Sequence, residues 1–313
     1  MTVKAPKFRF TAVLGFFEQD RPASPPSDAT TLPGLGLLDR SYETDDAFDP
    51  RRERHAWERF AYYLDHLNRV GGGRTVYKLL YAARHGEGYH NVKEAEVGTA
   101  AWEAYWAKLD GDGKTTWFDA HLTERGTSQA LAMKAFWEDA AATQKLPLPT
   151  RHYASPLARC LETCEKAFTG LTPPPPETAE GDEPAVAVPP FRPVVKELLR
   201  ERLGVHTCDR RRTRTWIRDH HPGFAIEAGF AEHDELWRPD VRETLAEHAV
   251  RAEGFLEDLF ANDSASIVSV TAHSGTIHAL YEAIGHPVVR VSPGAVVPVL
   301  VKAEALVDGE GSA

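Results

Sequence analysis

The run Ala265–Gly275, ASIVSVTAHSG, constrains the fold most. Its apolar side chains point to both sides of an extended chain. A strand buried on both faces is the habit of parallel sheets sandwiched between helices. TVYKLLYAA at Thr75–Ala83 and GAVVPVLVKAE at Gly294–Glu304 read as further strands, and RHYA and RPVV as shorter ones. Between them lie helical patterns. Arg54–Arg69 places Trp57, Phe60, Ala61, Leu64 and Leu67 at helical spacing. His121–Thr143 has Thr123 as its N-cap, SPLARCLETCEKAF follows a Ser155-Pro156 turn, and Asp240–Asp263 is amphipathic. Strands alternating with helices predict an α/β fold, with a largely parallel central sheet and helices on both faces. Ligands of such sheets bind beyond the carboxyl ends of the strands.

The chain has 313 residues, and we expect one domain over 1–313. Within it, 1–75 form an N-terminal extension with a long loop and a helix, 76–301 the core, and 172–193 a flexible proline-rich insertion. Pro22–Asp49 reads as a long surface loop, and Lys7–Phe17 as an added edge strand of unknown place. Trp102, Tyr105 and Trp106 suggest a helix. DGDGK at Asp110–Lys114 is a turn rather than a calcium loop, because its twelfth position is His121.

The formal net charge of −10 disfavours a nucleic-acid partner. No segment has the length and apolarity to span a bilayer, so no membrane partner is expected. The first residues show no cleavage pattern, and three cysteines make no disulfide framework, so a cytoplasmic location is the expectation. The sequence leaves the oligomeric state open.

The strand ends carry the chemistry. Arg84-His85-Gly86 follows the strand at Thr75, Ser155 and Arg159 follow the strand at Arg151, and His273-Ser274-Gly275 follow the strand at Ala265. Glu197 and Glu201 lie between the last two. A phosphate dianion needs fixed donors, which arginine supplies without deprotonating. A neutral imidazole can attack phosphorus, and a carboxylic acid can protonate the leaving oxygen. Each residue also has a plainer reading: His85 and His273 as core histidines, Arg159 as a helix-surface residue, His206 as structural. The run Arg210, Arg211, Arg212 and Arg214 either widens an anion funnel or forms a solvated face. Glu232, Asp234 and Trp237 are candidates for the wall of a cleft.

Together these motifs resemble the signature of the histidine phosphatase superfamily, also called phosphoglycerate mutase-like. ARHGEGYHN supplies Arg84, His85, Gly86 and Asn91, SPLAR supplies Ser155 and Arg159, VTAHSG supplies His273, and LTERGTSQA matches a helix start between motifs. LRERLGVHTCDRR resembles a eukaryotic, fungal or plant-like, cytosolic branch. The resemblance covers about Val76 to Val301. It implies His85 as nucleophile, forming phosphohistidine, Glu201 as proton donor with Glu197 as runner-up, and His273 as a third catalytic residue. Arg84, Asn91, Arg159 and His273 would bind phosphoryl oxygens. Ser155, His206 and Ser274 would be further substrate contacts. No cofactor and no metal are implied. The expected activity is metal-independent hydrolysis of a small-molecule phosphate ester. The alternatives are a phosphoglycerate-type mutase, a non-catalytic phosphate or phosphopeptide binder, and a fold recruited to other chemistry.

Overall fold

The computed structural model describes residues 8–21, 28–171 and 191–306. The strands are β1 (Phe8–Ala12), β2 (Thr75–Arg84), β3 (Arg151–Ala154), β4 (Val194–Val195), β5 (Ala225–Ile226), β6 (Ile267–Ala272) and β7 (Val296–Ala305). They form one sheet in the spatial order β1-β7-β2-β6-β3-β4-β5. From β2 through β6, β3 and β4 to β5 every pairing is parallel. The expected parallel core is therefore present, with β7 paired antiparallel to β2 and β1 antiparallel to β7. Lys7–Phe17 thus supplies an edge strand, in which Phe8 faces Ala305 (Lys7 itself lies outside the described residues).

The helices are α1 (Asp45–Phe48), α2 (Ala56–Val70), α3 (Tyr89–Val97), α4 (Thr99–Ala104), α5 (Glu124–Gln144), α6 (Ala158–Phe168), α7 (Arg214–His220), α8 (Leu245–Asn262) and α9 (Ser274–Ile284). Side chains of β2 alternate between two cores, as a strand's period of two requires. Leu80 and Ala82 pack with Phe255 and Leu256 of α8 and Ile277 of α9. Leu79, Tyr81 and Ala83 pack with Trp57 and Phe60 of α2, Trp137 of α5 and Leu161 of α6. Each buried Leu, Ile or Phe among them contributes about 1.5–3 kcal/mol by leaving water. A smaller cluster of Trp102, Ala107, Trp117, Ala120 and Cys208 seats α4 beside the mouth of the sheet.

Three expectations need correction. The described part of Pro22–Asp49 is folded rather than a surface loop: Leu35 and Tyr42 are buried against α2, and Trp57 donates to the Gly34 carbonyl at 3.0 Å. The helix expected at Asp240 starts at Leu245, because Thr244 caps it by accepting from the Glu247 N–H. Tyr105 and Trp106 lie past the end of α4, where the chain turns into a separate short helix at Trp106–Lys108. Of the proposed insertion, residues 172–190 lie outside the described residues, and Phe191 packs edge-on against His152. The DGDGK segment is a turn, held by Asp112 accepting from the Lys114 and Thr115 N–H groups. Among the described residues, no helix is long and apolar enough to cross a membrane.

Candidate active site

The carboxyl ends of β2, β6 and β3 bring His85, His273 and Ser155 together. The sheet ladder continues into them: His85 N–H donates to the Ala272 carbonyl and Ser155 N–H to the Thr271 carbonyl, each at 3.0 Å. The turn after His85 needs glycine. A Cβ at Gly86 would lie 2.3 Å from the Gly126 carbonyl oxygen of α5. The Gly86 N–H is anchored on Thr163 Oγ1 at 3.1 Å.

His85 Nδ1 lies 2.6 Å from its neighbour's carbonyl, Gly86 O. That carbonyl can only accept, so Nδ1 carries the proton and Nε2 keeps its lone pair. Burial, and then the charges of Arg159 and Arg84, push the His85 pKa well below its ordinary value. The imidazole is therefore neutral and nucleophilic at neutral pH.

Arg84 ends β2 and is 8% exposed, its Nη1 donating to the Val291 carbonyl at 2.8 Å. Arg159 sits in the first turn of α6 and is 1% exposed. Its Nη1 donates to the Cys208 carbonyl at 2.7 Å and its Nη2 to Asp209 Oδ1 at 3.1 Å. The Nε of both arginines has no partner among the described residues. Buried donors without partners are what an anion site leaves for its ligand.

A cleft of about 190 Å³ opens above these groups. Its lining includes six of the expected residues: Arg84, His85, Asn91, Arg159, Glu201 and His206. Glu201 Oε2 accepts from the Gly275 N–H at 3.0 Å, at the start of α9. Gly275 leaves room for it, since a Cβ there would sit 2.0 Å from Glu201 Oε1. Glu197 lies outside that lining and is ion-paired to Arg200 and Arg211. Asn91 Oδ1 accepts from the Gly88 N–H at 3.0 Å, which fixes the start of α3.

His273, Ser155 and Ser274 are not in the lining. The His273 ring is fully buried behind His85, with centroids 5.1 Å apart, and its Nε2 lies 2.8 Å from Ser155 Oγ. Burial first, then Arg159, holds its pKa well below the usual range. Ser274 is partly exposed at the start of α9.

The basic run is not an open funnel. Arg210 pairs with Asp110, Arg211 with Glu197, and Arg212 with Asp119. Asp234 pairs with Arg200, and Trp237 donates to the His206 carbonyl, so neither lines the cleft, and nor does Glu232. His206, Cys208 and Asp209 place potential ligand atoms within 4.8 Å of one another. Asp209 is already shared by Arg159 and Arg242, whose charges oppose a cation.

The remaining wall is His90, Glu94, Trp102, Glu103, Cys208, Asp209 and Arg242; from sequence, substrate specificity was expected in the stretches 94–119 and 206–237, which hold five of these, and His90 and Arg242 were missed. For His90 a signal existed, since it directly precedes Asn91 in the first turn after the His85 motif. Arg242 and Asp209 carry no local signal.

No family model matches the chain. A protein named "Probable phosphoglycerate mutase" from Arthroderma benhamiae is 42% identical, with 97% of this chain and 87% of that protein covered. "Probable phosphoglycerate mutase PMU1" from Saccharomyces cerevisiae is 36% identical, with 72% of this chain and 79% of that protein covered. "Phosphoglycerate mutase-like protein" from Arabidopsis thaliana is 31% identical, with 66% of this chain and 75% of that protein covered.

Proposed function

The chain belongs to the phosphoglycerate mutase-like proteins of the histidine phosphatase superfamily, and on that premise we propose that it hydrolyses a small phosphomonoester through a phosphohistidine at His85. The observation that carries this reading is the state of His85. Its Nδ1 is tied to Gly86 O, its pKa is lowered, and Arg84 and Arg159 flank it. In the first step the Nε2 lone pair forms the N–P bond as the P–O bond to the alcohol breaks. Glu201 gives its proton to the departing oxygen. In the second step Glu201 takes a proton from water, whose oxygen attacks phosphorus and releases phosphate and free His85. Arg84 and Arg159 hold the charge on the equatorial oxygens throughout. These arginines supply the positive charge, so the reaction needs no metal.

The mutase names of the relatives support a second reading, in which the phosphoryl group returns to a substrate rather than passing to water. Phosphate release from p-nitrophenyl phosphate in excess EDTA tests the hydrolase reading. Release by wild type that is lost in folded His85→Ala supports it. Release that needs added metal, or that survives in His85→Ala, refutes it.

A further inference from the structure

The walls of the cleft above the phosphate site carry a charge pattern that bears on the substrate. Arg84, Arg159 and Arg242 face four carboxylates: Glu94, Glu103, Glu201 and Asp209. Two of the arginines are already engaged with the same acid. Arg159 and Arg242 both bind Asp209, at 3.1 and 3.0 Å, and Arg242 Nη1 also donates to the carbonyls of Arg202 and Gly204. The nearest lysine in sequence, Lys93, is turned to Asp112 and Glu96. Toward solvent the wall is acidic. Glu94 is half-buried, and Glu103 is mostly exposed, with Oε2 2.9 Å from His206 Nε2.

A second observation points to a ligand between the acidic rim and the arginines. His90 is 8% exposed, lines the cleft, and sits with its ring centroid 5.5 Å from that of His85. Its Nδ1 has no partner among the described residues. The cleft thus has a cationic floor with buried donors, an imidazole beside the nucleophile, and carboxylates where the rest of a substrate would extend.

From this we infer that, granted the hydrolase reading, the substrate is a phosphomonoester whose alcohol part carries hydroxyl or ammonium groups and no second anion. Arg84 and Arg159 take the phosphate dianion. A carboxylate or second phosphate elsewhere on the substrate would meet Glu94 and Glu103, and the remaining arginine of the lining, Arg242, is ion-paired to Asp209. Hydroxyl or ammonium donors would find acceptors there. The site is accordingly poorly suited to phosphoglycerates, and to the doubly phosphorylated species that a phosphoglycerate mutase must hold.

The test compares kcat/KM for O-phosphoethanolamine, glycerol 3-phosphate, 3-phosphoglycerate and p-nitrophenyl phosphate at low salt. The enzymes are wild type and the double variant Glu94→Gln, Glu103→Gln. We expect wild type to favour the first two esters over 3-phosphoglycerate by about tenfold or more. The double variant should narrow that ratio to about threefold, as should salt near 1 M, where screening acts over about 3 Å. Equal or better use of 3-phosphoglycerate by wild type overturns the inference, as does a ratio unchanged in the double variant, while turnover of p-nitrophenyl phosphate leaves the hydrolase reading standing. No turnover of any ester removes both.

Discussion

Replacing Asp209 by alanine removes the carboxylate that anchors Arg159 beneath the nucleophile. Asp209 is 2% exposed and accepts from Arg159 Nη2 and Arg242 Nη1. Burial alone would raise its pKa, but Arg242 and Arg159 outweigh burial and hold it below the usual carboxylate range. Without it, two largely buried guanidiniums face each other, and among the described residues Arg159 keeps only the Cys208 carbonyl. Removing one partner of a buried ion pair costs about 3–5 kcal/mol. Total stability for such a fold is about 5–15 kcal/mol, so a large fraction goes. Arg159 would also shift toward water, and a displacement of about 1 Å at a positioning group costs about 100-fold in rate. Asp209→Asn keeps the shape and one acceptor, so we expect a smaller loss, about 1–3 kcal/mol. Urea melts read the stability, and phosphate release from p-nitrophenyl phosphate reads kcat/KM. Were Asp209→Ala to melt within about 1 kcal/mol of wild type and keep its kcat/KM, Asp209 would not be the anchor described.

Three further outcomes can be checked. Glu201→Gln should lower kcat/KM, which reads the first step alone, by about 10²–10⁴-fold on alkyl phosphates, with a much smaller loss on p-nitrophenyl phosphate, whose leaving group needs little help from an acid; equal losses of kcat/KM on both would count against proton donation. The acid limb of kcat/KM assigned to His85 should lie well below pH 6.5, since burial and the two arginines lower its pKa; a limb near 6.5 in wild type, insensitive to the substrate's own ionisation, would contradict the neutral nucleophile. His248 is buried in α8, with its pKa lowered to about 4 by burial and then by Arg251. Its stabilising contribution is intact above about pH 6.5 and is lost as pH falls, reaching about 3 kcal/mol by pH 4. His248→Gln should show a shallower fall in urea stability over that window, and an equally steep one would refute the assignment.

How much was legible depended on whether a feature is local. Arg84, His85, Ser155, Arg159 and His273 each sit within a few residues of a strand end, so their placement followed from apolar runs and spacing. Thr123 announced α5 through its side chain, which accepts from Gly126 N–H at 3.0 Å. Thr244 with Glu247 offered the same kind of signal for α8, and continued apolar spacing upstream obscured it. That boundary matters, because Arg242 lies in the loop before α8 and from there reaches Asp209. β5 has two residues and no pattern of its own, and pairing with β4 alone makes it a strand. The Arg210–Arg212 run looked like free charge because its partners Asp110, Glu197 and Asp119 are distant in sequence. The same non-locality hid the cleft wall, where α3 and α4 meet the segments around His206 and Arg242.

The most direct test of the account is to trap the phosphoenzyme. Wild type and His85→Ala, both verified as folded, are mixed with phosphate ester, quenched within the first turnover and mapped by mass spectrometry. The account predicts an acid-labile, alkali-stable phosphate on His85 that forms at least as fast as product appears, with neither phosphoenzyme nor turnover in His85→Ala. Turnover by wild type with His85 never phosphorylated, or phosphate carried by another residue, would contradict it.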